Sequence, residues 1–224
     1  MNSTLGVLFN MIGFGVGATV YVLEARRRGM NMSRTREVAL VGVLAGVLIA
    51  TLVQWGYAYF VGGAGWMANG GKTILGGVIG GWGAVELWKH KIGIKESTGV
   101  LWAMALPAGE IFGRIGCWFH GCCGGRETIV PWAVFRDGAW RHPTQIYLSV
   151  AALVTFLVVW RLRDRPDVFL ISIFMWALGR MMIEPWRESS IATPWIVPAV
   201  CAGVAIFVGA KLVRSWRMKE KLTA

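Results

Sequence analysis

The chain has 224 residues, 55% of them hydrophobic, yet its formal net charge is +11. A mean hydropathy of +0.54 together with that charge excludes an ordinary soluble domain and fits an integral membrane protein with apolar spans and basic loops. Long uncharged apolar windows separate the basic clusters, which argues against a nucleic-acid binder.

A membrane-spanning helix needs about 20 mostly apolar residues. Seven windows meet that requirement: Leu5–Leu23, Val38–Phe60, Gly70–Trp88, Thr98–Trp118, Pro143–Trp160, Val168–Trp186 and Thr193–Val213. The first is followed, not preceded, by a basic cluster, which marks a span rather than a cleavable leader. The expected fold class is therefore all-α and polytopic, with seven transmembrane helices in a single domain over residues 1–224. The third window is rich in glycine, which lets helices approach closely in lipid.

Basic residues mark the cytoplasmic side. Most of the 23 Lys and Arg fall in alternate segments: Arg26, Arg27, Arg28, Arg34 and Arg36; Lys89, Lys91 and Lys95; Arg161, Arg163 and Arg165; and the tail from Lys211 to Lys221. The other connections hold Arg126, Arg136, Arg141 and Arg187. This predicts the N-terminus outside, the C-terminus in the cytoplasm, and the longest connection, about 119–142, outside. Gly124-Gly125, Pro131 and Asp137-Gly138 are turn signals within it, and the run from Val130 to Phe135 reads as a short strand or a surface lip.

Ionisable residues inside spans are costly and mark function. Six fall in these windows: Lys72, Glu86, Glu110, Arg114, Arg180 and Glu184. With the predicted topology, Lys72, Arg114, Arg180 and His142 come from four helices and reach a similar depth on the outer side. Glu110 and Arg114, like Arg180 and Glu184, stand four residues apart on one helix face. One reading is simple pairing. The other counts three cations against two carboxylates and assigns the surplus to an anion. The planar guanidinium fork suits phosphate oxygens, and a phospholipid phosphate is the anion most available at that depth.

His142-Pro143-Thr144-Gln145-Ile146-Tyr147 opens the fifth window. Pro143 suits a first helical turn. His142 then sits beside a helix N-terminus, which favours the neutral, base-competent imidazole. Cys117, His120, Cys122 and Cys123 leave three readings open. They could hold a metal, although their spacing matches no standard zinc pattern and none is expected. Cys117 could form a disulfide with Cys122 or Cys123, or all could be small packing residues.

Four motifs in order carry a family resemblance. They are Gly76-Gly77-Val78-Ile79-Gly80, Gly113-Arg114 with its following Gly-rich loop, His142 to Tyr147, and Gly179-Arg180 with Glu184 and Arg187. From about Gly70 to Glu188 the chain resembles the bacterial prolipoprotein diacylglyceryl transferase family. The resemblance implies an enzyme of the bacterial inner membrane that uses no cofactor. It would move a diacylglyceryl group from phosphatidylglycerol, or another anionic phospholipid, to a lipoprotein precursor or other acceptor at the outer face. It implies that Arg114 and Arg180 hold the phosphate and that Glu184 orients Arg180. The candidate substrate-binding residues are Lys72, Gly76, Gly77, Gly113, His120, Gln145, Tyr147 and Arg187. The sequence departs from the family pattern at several points. The family's histidine before the GG-L-I-G run is Leu75 here, its signature asparagines are Cys117 and His120, and its acidic residue there is Cys122. His142, or His120, is then the candidate replacement base. The alternatives are a non-catalytic lipid-binding or accessory subunit of a membrane complex and a small transporter of an anionic solute. The absence of repeat-related broken helices weighs against a transporter.

Overall fold

Apolar runs bounded by caps and glycines set the helices. The computed structural model describes residues 2–61, 74–188 and 196–223. Helix α1 spans Ser3–Arg27, α2 Met32–Val61, α3 Ile74–Lys91, α4 Gly99–His120, α5 Thr144–Arg161, α6 Val168–Ile183 and α7 Ile196–Thr223. A single 3-10 turn, Glu184–Trp186, extends α6. The Asn31 side chain caps α2 by accepting from the Ser33 and Arg34 amides at 3.1 and 3.2 Å. Three helices end in one motif. Gly29, Gly93 and Gly121 adopt φ of 65°, 70° and 72°, and the next residue donates its amide back to Ala25, Lys89 and Cys117 respectively. This closure satisfies helix-end carbonyls and needs a residue free of Cβ strain.

Among the described residues six helices are long and apolar enough to cross a membrane: α1, α2, α4, α5, α6 with its terminal turn, and α7. Only 17% of the spanning window of α1 and of α2 is buried within the protein, so their large apolar faces have lipid, not protein, as their solvent. The protein is thus an all-α polytopic membrane protein. Helix α3 has 18 residues, with Glu86, Lys89 and Lys91 among them, and is not one of the six.

The chain forms two compact units, Met1–Glu24 with Gly99–Ala224, and Ala25–Thr98. In the smaller, α2 and α3 pack through glycines. A Cβ on Gly81 would stand 2.9 Å from the Gly42 carbonyl oxygen, and one on Gly46 would stand 3.0 Å from that of Gly77. The Gly-rich run therefore serves helix packing here. Glu86 pairs with Lys89 at 3.2 Å.

In the larger unit α4 is the central helix, with Leu101, Ala103, Met104, Ala105 and Ala108 buried. Helix α1 approaches it backbone to backbone. A Cβ on Gly13 would stand 2.7 Å from the Gly109 carbonyl, and one on Gly17 would stand 3.1 Å from that of Ala105. Pro107 lies inside α4 and cannot donate to the Ala103 carbonyl four residues back. The Ser172 hydroxyl of α6 donates to that carbonyl instead, at 3.0 Å. Ser149 of α5 likewise donates to the Ile111 carbonyl at 2.9 Å. These two bonds fix α4 between α5 and α6. Helix α7 packs on α6 through Cys201, Ala205 and Val208.

The connection from α4 to α5 carries a hairpin, β1 Val134–Arg136 and β2 Ala139–Arg141. Its turn is the expected Asp137-Gly138, with φ of 53° and 80°, the pair of positive values that a tight hairpin turn requires. The strand begins later than the sequence indicates, because Pro131-Trp132 forms a turn of its own.

The Ser172 bond gives a direct test of how α4 is held. Ser172→Ala leaves a buried carbonyl without a donor and should cost about 1–3 kcal/mol. Pro107→Ala restores an intrahelical donor, so the same serine substitution in that background should cost much less. Thermal unfolding in detergent of the two single variants and the double variant measures the difference.

Candidate functional site

The site is built where α4 and α6 end. Arg114 is four residues after Glu110 on α4, and its Nε and Nη2 both donate to Glu110 Oε1, at 2.9 and 2.5 Å. Arg180 Nη2 lies 2.7 Å from Glu184 Oε2. Arg187 donates through Nη1 to both oxygens of Glu184, at 2.8 and 2.9 Å. Glu184 therefore serves two arginines. This is possible because the 3-10 turn at Glu184–Trp186 swings Arg187 back over the carboxylate. Arg180 is within electrostatic reach of Arg114, Arg187, Glu184 and Glu110. Three guanidinium groups thus share two carboxylates.

Arg114, Arg180 and Glu184 are all buried. The Nε atoms of Arg180 and Arg187 are buried and make no hydrogen bond with any described residue. A buried donor without an acceptor costs roughly 1–3 kcal/mol, so the cluster carries donor capacity that the described residues do not use.

A cavity of about 550 Å³ adjoins this cluster. Arg187 belongs to its wall, with Arg136, Arg141, His142, Gln145, Cys122, Cys123 and Glu188; Arg114 and Arg180 do not line it. Arg136 lies over the Trp118 ring at 4.6 Å and donates to the Trp118 carbonyl at 2.8 Å. Its Nη1, and the Nε of Arg141, are also buried without an acceptor among the described residues. Arg141 donates to Glu188 at 3.0 Å and to Glu127 at 3.4 Å.

Main-chain bonds hold the connecting loop in place. The Arg126 amide donates to the Trp186 carbonyl at 2.9 Å, and the Glu188 amide donates to that of Gly124 at 3.0 Å. The His142 amide donates to the Arg126 carbonyl at 3.0 Å. Gly125 lies against the His142 backbone, where any Cβ would overlap the His142 carbonyl. Thr144 and Gln145, 0% and 1% exposed, donate to the Cys123 and Cys122 carbonyls at 2.9 and 2.7 Å.

His142 Nδ1 lies 3.2 Å from the Tyr147 hydroxyl, which accepts from Trp132 Nε1 at 2.6 Å. The imidazole stacks on Trp186 at 6.0 Å. The Cys123 thiol is held below the usual thiol range. Hydrogen bonds from Cys117 and then Cys122 favour its thiolate, burial opposes it, and Arg187 and Arg114 add attraction.

The structure brings Arg114, Arg180, Glu184 and Arg187 together, and His142, Gln145 and Tyr147 at the neighbouring cavity. A Cβ on Gly113 would meet nothing within 4 Å. The His120 ring packs against Gly6 of α1 and does not line the cavity. Gly77 packs in the other unit, where Gly76 is also buried, and Lys72 lies outside the described residues. Arg136, Arg141 and Glu188 were not among the residues the sequence indicated. Basic residues on the sparsely charged side of the topology were the available signal.

The fold and site define a polytopic membrane protein with three guanidinium groups and two carboxylates clustered where its helices end. Comparison with known proteins narrows this class. Residues 6–214 match the family model of prolipoprotein diacylglyceryl transferase. A phosphatidylglycerol–prolipoprotein diacylglyceryl transferase of Clostridium tetani is 31% identical over 228 residues, covering 88% of this chain and 89% of that protein. Proteins of the same name from Clostridioides difficile and Thermotoga maritima are 27% and 30% identical, covering 80% and 81% of this chain and 76% and 69% of theirs. The chain belongs to the prolipoprotein diacylglyceryl transferase family, a family of inner-membrane transferases.

The shared carboxylate makes Glu184 the most sensitive position. Glu184→Gln strips two buried arginines of their counter-charge and should cost about 3–5 kcal/mol. Glu188→Gln removes a partner whose side chain is 62% exposed, and should change stability by under about 1 kcal/mol. Unfolding of both variants in detergent checks the contrast.

Proposed function

We propose that this protein transfers the diacylglyceryl group of phosphatidylglycerol to the cysteine of a lipoprotein precursor, with Arg114, Arg180 and Arg187 holding the lipid phosphate. One observation carries this reading. Arg180 and Arg187 share the single carboxylate of Glu184, and each keeps a buried Nε donor without a protein acceptor. A phosphate offers the acceptors and the negative charge that the cluster lacks.

In the reaction the acceptor sulfur attacks the glyceryl carbon bonded to the phosphate oxygen. The S–C bond forms, the C–O bond breaks, and its electron pair leaves with glycerol phosphate. Guanidinium groups placed around that phosphate stabilise the charge as it develops. The acceptor thiol must lose a proton, and His142 is the candidate base. In the tautomer in which Nδ1–H donates to the Tyr147 oxygen, Nε2 carries the free lone pair. Glu110 and Glu184 act as positioning residues for Arg114 and Arg180. Arg136 and Arg141 in the cavity wall suit the glycerol phosphate as it departs.

The same reading places seven spans in one membrane domain, with the N-terminus outside and the C-terminus cytoplasmic. Helix α3 serves as the third span, its 18 residues rising about 27 Å. The basic connections then face the cytoplasm, and the 119–142 loop faces out. Gly113, Gln145 and Tyr147 are assigned to the substrate's surroundings.

The test uses purified protein in phosphatidylglycerol micelles with a lipobox peptide. Release of glycerol phosphate should fall by about 10²–10³ in Arg114→Ala and in Arg180→Ala. Activity unchanged in Arg180→Ala sinks the assignment. His142→Ala should lose about 10²–10⁴ at neutral pH. That defect should shrink as pH rises through about 8.5, where the acceptor thiol ionises unaided. A defect independent of pH assigns His142 another role.

A further inference from the structure

The sulfurs at the end of α4 converge for a reason that lies in the helix terminus. Gly121 donates its amide to the Trp118 carbonyl and Cys122 to the Cys117 carbonyl, both at 3.2 Å. In this closure the residue after the glycine lies beside the residue five positions back. Here those residues are Cys122 and Cys117. Cys123 then takes φ of 61°. The Sγ atoms of Cys117, Cys122 and Cys123 all lie within 4.8 Å of one another. Three sulfurs bound to one ion at about 2.3 Å stand about 3.8–4.0 Å apart, so the observed cluster needs only a small contraction. The backbone under it is held, since the Cys122 and Cys123 carbonyls accept from Gln145 and Thr144 of α5.

We propose that Cys117, Cys122 and Cys123 form a three-thiolate site for one soft d10 cation, zinc or copper(I). The donor set is all sulfur, which selects such ions over magnesium or calcium. A disulfide uses two sulfurs and leaves the third unexplained, and all three cysteines are free thiols. Three thiolates around a dication carry a net charge of −1, and Arg114 and Arg187 lie within electrostatic reach of Cys123 to balance it. The ion takes all three sulfurs as thiolates, so any proton still on them leaves to solvent on binding. Cys122 and Cys123 also line the 550 Å³ cavity, which gives the ion an entry path and, for zinc, a fourth ligand from solvent. Cys117 is three residues from Arg114 on α4, so the bound ion ties the helix end that carries Arg114 to the loop anchored on α5.

The test takes the full chain in detergent, reduced and freed of metal by a chelator. Cobalt(II), as a coloured stand-in for zinc, and copper(I) under anaerobic conditions are titrated in separate arms. One ion per chain with a sulfur-to-metal charge-transfer band is expected in at least one arm, and the stronger arm identifies the ion. Each of Cys117→Ser, Cys122→Ser and Cys123→Ser should weaken binding at least tenfold, and the triple variant should abolish the band. A serine variant that fails to fold also loses the band, so the unaltered protein supplies a second reading. Its three thiols should resist maleimide when the ion is bound and react once a chelator is added. No band with either ion, a band that survives in the triple variant, or thiols unprotected by the ion overturns the proposal. So does a Cys117–Cys122 disulfide found by mass spectrometry in the protein as isolated from the membrane.

Discussion

A guanidinium group among apolar helices must be paired, and this requirement governs the larger unit. An unpaired charge there costs several kcal/mol, whereas a paired one is tolerated when its other donors and acceptors are met. The spacing of four residues provides the first partner within each helix, Glu110 for Arg114 and Glu184 for Arg180. Arg187 then adds a third cation to a carboxylate already in use. The three arginines outnumber the two carboxylates, with buried Nε donors unspent on Arg180 and Arg187. That imbalance is what the proposed lipid phosphate would offset.

Everything that fixes α4 and α6 therefore bears on the chemistry. Glycines bring the α1 backbone against α4, Ser172 meets the carbonyl that Pro107 leaves without a donor, and Ser149 adds a second tie from α5. The long loop is fastened by main-chain bonds to the end of α6 and the start of α5. That fastening places Arg136, Arg141 and His142 in one cavity wall with Arg187. The arginine–carboxylate cluster is buried, and the cavity of about 550 Å³ lies beside it.

Hydropathy and charge made much of this legible. The apolar windows mark most helix ends to within four residues, because burial in lipid demands uninterrupted apolar length, but α2 starts six residues before its window and α7 runs ten beyond its own, where the chain is polar and hydropathy gives no signal. The two Arg–Glu pairs follow from helical spacing, and the hairpin turn follows from Asp137-Gly138. Contacts made between segments were not legible. Nothing local shows that Glu184 serves two arginines, since that depends on the 3-10 turn after α6. Arg136 and Arg141 read as ordinary loop cations until the loop is seen fastened beside Arg187. The direction of His120 toward α1 depends on how α1 packs. The convergence of Cys117 and Cys122 did have a signal, a glycine ending the helix with cysteines flanking it five residues apart. The Gly76 to Gly81 run serves packing in its own unit, as its small residues allow.

The central claim is that the arginines sharing Glu184 bind a phosphate. The most direct measurement is a titration of the detergent-solubilised protein with glycerol phosphate followed by phosphorus NMR, in the unaltered protein and in Arg180→Ala and Arg187→Ala. Saturable binding that weakens at least tenfold in each variant is the expected result. Equal affinity in all three proteins would contradict the account.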